Sequence, residues 1–144
     1  MTADPDERGT GLPVIRVSGV VIREDGGALL TVRKRGSGRF MLPGGKPESG
    51  ETPRDTAIRE CAEELGVRLL SEDLTEVGVF RAAAANEADH LVEATVFAHP
   101  SVPVDQPGAE IAELRWLDPT TATGSDLAPL LVDHVLPALR AAGS

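Results

Sequence analysis

A helix with both of its ends marked constrains this chain more than any other feature. Thr52 stands where an N-cap side chain accepts a backbone N–H, Pro53 follows at the first helical position, and Asp55 falls at the third, where a carboxylate suits the helix dipole. Gly66 closes the segment as its C′ residue. Ile58, Cys61, Ala62 and Leu65 recur at i, i+3, i+4 and i+7, so the spacing predicts a packing stripe. Glu60, Glu63 and Glu64 share one arc of about 100° on the other side. One face packs; the other presents acid.

Around this helix the pattern alternates between strands and loops. Residues 14 to 22 and 28 to 32 are rich in β-branched and apolar side chains, and Glu24-Asp25-Gly26-Gly27 between them is a turn signal, which predicts a hairpin. A short apolar run, Phe40-Met41-Leu42, stops at Pro43-Gly44-Gly45. Further strands are expected over 76 to 82, 90 to 98 and 113 to 117, with a long Pro- and Gly-containing loop over 100 to 108 that borders a site. A last helix is expected from about 126 to 141, confined or kinked by Pro129 and Pro137. Strands in runs with two separate helices predict an α/β fold, a mixed sheet covered by helices. At 144 residues there is room for a single domain, read here as 13–144 behind a flexible N-terminal arm of residues 1–12.

Charge and composition limit what such a domain binds. The net charge of −9 argues against nucleic acid or an anionic membrane as partner, since either needs clustered Lys and Arg. Aromatic residues make up only 3%, so stacking platforms for bases are scarce. The single cysteine, Cys61, excludes an intramolecular disulfide and lies on the packing stripe, where a buried small hydrophobe is expected and no nucleophile. A polar start without an apolar core of a signal peptide, and no apolar run near the roughly 20 residues that span a bilayer, lead to the expectation of a cytoplasmic protein. His90, His99 and His134 show no metal-ligand spacing.

Three glutamates this close repel one another, and a divalent cation removes the penalty. Hard oxygen donors suit Mg²⁺ or Mn²⁺, which bind one or two carboxylates and complete their shell with water and substrate phosphates. A Glu run by itself is equally a solvated helix face. The surrounding residues decide: Gly45, five residues, Glu51, seven residues, then Arg59-Glu60-Cys61-Ala62-Glu63-Glu64-Leu65-Gly66-Val67. This stretch resembles the Nudix box at every specified position. With background usage of about 7% per residue type, such a match arises by chance on the order of 10⁻⁸ per starting point.

The resemblance implies a Nudix-type α/β/α sandwich and a Mg²⁺-dependent hydrolase, with Mn²⁺ as substitute, acting on a small molecule of the nucleoside diphosphate type. It implies metal ligation by Glu60 and Glu64, often joined by Glu63, and by the carbonyl of Gly44. The general base is Glu60 in some members and lies on a loop outside the box in others. Arg59, which stays protonated and bonds carboxylates bidentately, is expected to orient Glu51 or Glu60. Some members take a further acid from a later loop; Glu110 is the first candidate, with Glu113, Glu87 and Glu93 as competitors.

Substrate contacts are expected from Arg33, Lys34, Arg35 and Arg39, since Arg forks match phosphate oxygens, or else these form a solvated basic turn. Phe80 and Trp116 are placed either against a base or in the core. A MutT-like reading, hydrolysis of a (deoxy)nucleoside triphosphate, leads by size. ADP-ribose or a nucleotide sugar, coenzyme A, and a non-catalytic nucleotide sensor remain as alternatives, and a homodimer is left open.

Overall fold

The computed structural model describes residues 11 to 104 and 106 to 143. The predicted arm lies, as far as residue 10, outside the described residues. The strands are β1 (Val14–Ile22), β2 (Leu29–Lys34), β3 (Gly44–Gly45), β4 (Thr75–Ala83), β5 (Leu91–His99) and β6 (Ile111–Leu117), and the predicted helix is α1 (Pro53–Leu65).

β1 is a central strand. It runs parallel to β5 along its whole length, from Val14 opposite Leu91 to Ile22 opposite His99, and its other edge holds β3 antiparallel. β4 adds antiparallel to the far edge of β5, giving a mixed sheet of order β3-β1-β5-β4. β2 pairs with β6 in a separate antiparallel ladder. The expected β1–β2 hairpin therefore reduces to a turn: Gly27 N–H donates to Glu24 O at 2.8 Å, a single bridge joins Arg23 to Leu29, and the strands then part. On the edge that β2 would join, Ser18 and Gly19 already pair with β3 and Val20 N–H donates to Pro43 O, so a β1–β2 ladder could not extend past the turn.

Val20 and Ile22 face one side of β1 and Val21 the other, as the alternation of a strand requires. On the first side they meet Ala57, Cys61 and Leu65 of α1 with Leu30, Val32 and Phe97. On the second, Leu29, Ala94 and Val96 meet Leu131, Val135 and Leu136 of the C-terminal helix. Strands thus lie between helices, the α/β/α arrangement.

The C-terminal helix begins later than the sequence predicts. Residues 126 to 128 bond to Phe40 instead: Phe40 N–H donates to Asp126 O and Ala128 N–H to Phe40 O. Helical turns start at Pro129, pass through a π turn at Leu131–Val135, and continue as α2 (Leu136–Gly143). In the π turn Leu136 N–H donates to Leu131 O. Pro137 has no N–H and its ring crowds the preceding turn, so the wider turn just before it accommodates what a regular helix would not.

Candidate active site

α1 is fixed at both ends. Thr52 Oγ1 accepts from Asp55 N–H at 3.1 Å and Asp55 Oδ2 accepts from Thr52 N–H at 3.2 Å, a reciprocal capping box, while Gly66 takes a left-handed φ of 69° and donates to Ala62 O. The Ser18 hydroxyl donates to Pro53 O at 2.8 Å and anchors the helix start to β1.

The helix does not divide into a packed face and an acidic one. Ala62, expected in the packing stripe, is exposed, whereas Glu64 is only 5% exposed. The reason is β3, whose two glycines let α1 settle against their backbone. A Cβ at Gly44, which has φ +152°, would collide with the Ser18 carbonyl, and one at Gly45 would stand 2.5 Å from the Glu60 carboxyl carbon. The buried arc of the helix therefore extends past Ala57 and Cys61 to take in Glu64. Glu60 is half-buried beside it and Glu63 points outward.

Gly44 N–H donates to Glu64 Oε1 at 3.0 Å, and Lys34 Nζ lies 3.4 Å from Glu64 Oε2. Burial nevertheless pushes the Glu64 carboxyl up to about 7, against the pull of Lys34 and Gly44. Glu60 is shifted the same way by burial, opposed by Arg59 and Lys34.

Arg59 ties the cluster together. Its Nε and Nη2 donate to the two oxygens of Glu51 at 2.7 and 3.0 Å, Nη1 reaches Glu60 at 3.2 Å and Glu63 at 3.1 Å, and Nη2 also donates to Lys46 O at 2.9 Å. Glu51 further accepts from Glu48 N–H and Thr56 Oγ1. Chiefly through Arg59, its carboxyl is held down at about 2. Glu51 is thus fully occupied in holding Arg59, which in turn aims the α1 carboxylates.

A cleft of about 530 Å³ opens against this cluster. It is lined by Glu48, Glu60, Glu63, Glu87 and Glu110 with Lys34, Lys46 and Arg59, and also by Ile15, Val17, Leu42, Val92, Leu130 and Asn86. No aromatic side chain lines it among the described residues. A smaller cavity of about 290 Å³ lies beyond, bounded by Glu60, Glu63, Glu64 and Glu110.

The structure thus brings Gly44, Arg59, Glu60, Glu63, Glu64 and Glu110 together and leaves other sequence candidates elsewhere. Of the four basic residues only Lys34 lines the cleft. Arg33 donates to Ser37 O and pairs with Glu113 at 3.4 Å, Arg35 donates to Ala109 O, and Arg39 lies outside the wall. Phe80 packs in the second core and stacks on His134 at 5.4 Å, and Trp116 is 40% exposed, away from the cleft. Glu93 is bound to Arg81 and Arg16; Glu87 is at the cleft, 3.9 Å from Lys46. Sequence reading missed Lys46, Glu48 and Asn86; for Lys46, adjacency to Gly44-Gly45 was the available signal.

Among the described residues, no three His, Cys, Asp or Glu side chains form a ready-made metal shell. The donor set still fits a hard divalent cation. Six carboxylates border the two adjoining cavities, burial raises the proton affinity of Glu60 and Glu64 among them, and a cation that keeps most of its water needs only one or two.

Comparison with known proteins agrees with this architecture. The family model described as "NUDIX domain" matches residues 12–138. A "MutT-like protein" of Streptomyces ambofaciens is 35% identical over 129 residues, which are 90% of this chain and 79% of that one. An "ADP-ribose pyrophosphatase" of Methanocaldococcus jannaschii is 34% identical over 82 residues, 56% of this chain and 47% of that one. The solution structure of the E. coli ORF135 protein superposes with a TM-score of 0.68 at 26% identity, covering 92% of this chain and 94% of that one. Fold and site together define a hydrolase of the pyrophosphatase class. The chain belongs to the Nudix family.

Proposed function

We propose that the protein is a Mg²⁺-dependent pyrophosphohydrolase, with Mn²⁺ able to substitute, that converts a (deoxy)nucleoside triphosphate and water to the monophosphate and diphosphate. The observation that carries this reading is the cleft itself: one space is lined both by aliphatic side chains and by carboxylates with Lys34 and Lys46. The aliphatic side chains accommodate base and sugar, and the charged ones take the phosphates.

Glu60 and Glu64 would hold the metal, with Glu63, Glu110 and the Gly44 carbonyl available to complete its shell. Bound there, a divalent cation would offset phosphate charge and lower the pKa of a water molecule. Glu60, which lines the cleft, accepts the proton of the attacking water. The water oxygen bonds to phosphorus and the bridging P–O bond breaks. Lys34 and Lys46 bind phosphate oxygens, and Arg59 keeps Glu60 and Glu63 oriented.

The test is turnover of nucleoside triphosphates, ADP-ribose, coenzyme A and dinucleoside polyphosphates with Mg²⁺ or Mn²⁺. A triphosphate is expected to give the highest kcat/KM, and Glu60→Gln and Glu64→Gln to lower it by about 10²-fold or more. Folded protein that turns over none of these, or an activity indifferent to both substitutions, overturns the enzymatic assignment. Preference for ADP-ribose or coenzyme A overturns the substrate assignment alone.

A further inference from the structure

Gly108, Ala109 and Glu110 reach the site just before β6 begins, outside any helix or strand. Gly108 N–H donates to Glu64 O at 2.9 Å, satisfying a carbonyl of the last turn of α1 that has no partner within the helix. Arg35, next after β2, holds the following residues twice: its Nε donates to Ala109 O at 2.7 Å and its N–H to Glu110 O at 2.8 Å. Ile111 N–H closes back onto Gly108 O at 3.0 Å. The fit at Gly108 is tight, since a Cβ there would collide with the Glu63 carbonyl oxygen, which is rigid helix backbone and cannot swing aside.

We propose that Gly108 and Arg35 are positioning residues for Glu110. They lock the chain entering β6 against the end of α1 and the end of β2, and so keep the Glu110 carboxylate on the two cavities that Glu60 and Glu63 also line. Arg35, which the sequence suggests for substrate phosphate, instead serves a carboxylate through the backbone beside it. The inference rests on the reading that Glu110 works together with the α1 glutamates.

Two readouts test it: Mn²⁺ binding without nucleotide, followed by electron paramagnetic resonance of the free ion, and kcat and KM on the best substrate. Groups that orient metal ligands from behind commonly change affinity or activity by about 10-fold or more, so Gly108→Ala and Arg35→Ala are each expected to weaken Mn²⁺ binding and lower kcat on that scale. Arg35→Lys recovers part of the loss, because an ammonium can still donate to Ala109 O. In a Glu110→Gln background, Arg35→Ala adds less than about twofold, since the group it positions is already gone.

Full additivity of Arg35→Ala and Glu110→Gln overturns the proposal. So does a Glu110→Gln protein with unchanged Mn²⁺ affinity and kcat, and in that case a continued loss of activity in Glu64→Gln leaves the hydrolase assignment standing. If no substrate is turned over, the hydrolase assignment fails and the Mn²⁺ measurements alone decide the positioning role. Should Gly108→Ala not fold, Arg35→Ala carries the comparison.

Discussion

Glu51 and Glu64 serve the same helix and hold their protons oppositely. Glu51 is lowered from an ordinary 4.5 to about 2 by Arg59, whereas Glu64 is raised to about 7 by burial. A carboxyl lowered in the folded state contributes stability that is complete above its unfolded pKa and is lost as pH falls towards its folded one. Glu51→Gln, which turns an N–H donor towards the guanidinium, is therefore expected to lower the urea midpoint at pH 7. Its deficit against the unchanged protein should shrink as pH is taken from about 4.5 towards 2. A deficit constant over that range would show that the Glu51–Arg59 pair does not carry it. The identity of these residues was readable in the chain, because the Gly45-to-Val67 spacing is so specific. Their different burial was not: periodicity sets Glu64 with Glu60 and Glu63, and only contact with the β3 backbone draws it inward.

At the scale of elements, α1 owes its position to its ends as much as to its stripe. Thr52→Ala removes the N-cap acceptor and half of the capping box, and is expected to cost about 1 kcal/mol in urea unfolding. A change below about 0.3 kcal/mol would mean that the Ser18 bond to Pro53 O fixes the helix start without help. This helix was legible because capping residues and period are local properties. The last helix was legible only in outline. Pro129 and Pro137 mark it, but neither shows that Phe40 claims residues 126 to 128 or that the chain widens into a π turn. Both are answers to tertiary neighbours. The four basic residues before the box illustrate the same limit: a bulge between Arg33 and Lys34 alters the alternation, and Lys34 alone is delivered to the cleft.

Across the whole molecule the sheets separate two apolar cores, and the site draws on them unequally. Leu136 is 1% exposed in the core under the C-terminal helix and does not line the cleft. Leu136→Ala is expected to cost about 2–5 kcal/mol in urea unfolding while kcat per folded molecule stays unchanged. A proportionate fall in kcat would instead join that core to the chemistry. Strand identity was largely readable from β-branched runs, but strand partnership was not. A turn between neighbouring strands suggests a hairpin, and nothing in a run of valines and isoleucines says that β1 pairs in parallel with β5 far along the chain. The cleft is a product of that long-range pairing, so its aliphatic lining was invisible where its acidic residues were not.

The acidic and the aliphatic residues of the cleft have separate origins in the chain. Glu48, Glu60 and Glu63 come from one short stretch, Gly44 to Glu64, whereas Ile15, Val17, Val92 and Leu130 arrive from β1, β5 and the C-terminal helix. Replacement of one of these aliphatic residues would reshape the apolar lining of the cleft and leave the Arg59-centred carboxylate cluster on α1 as it is.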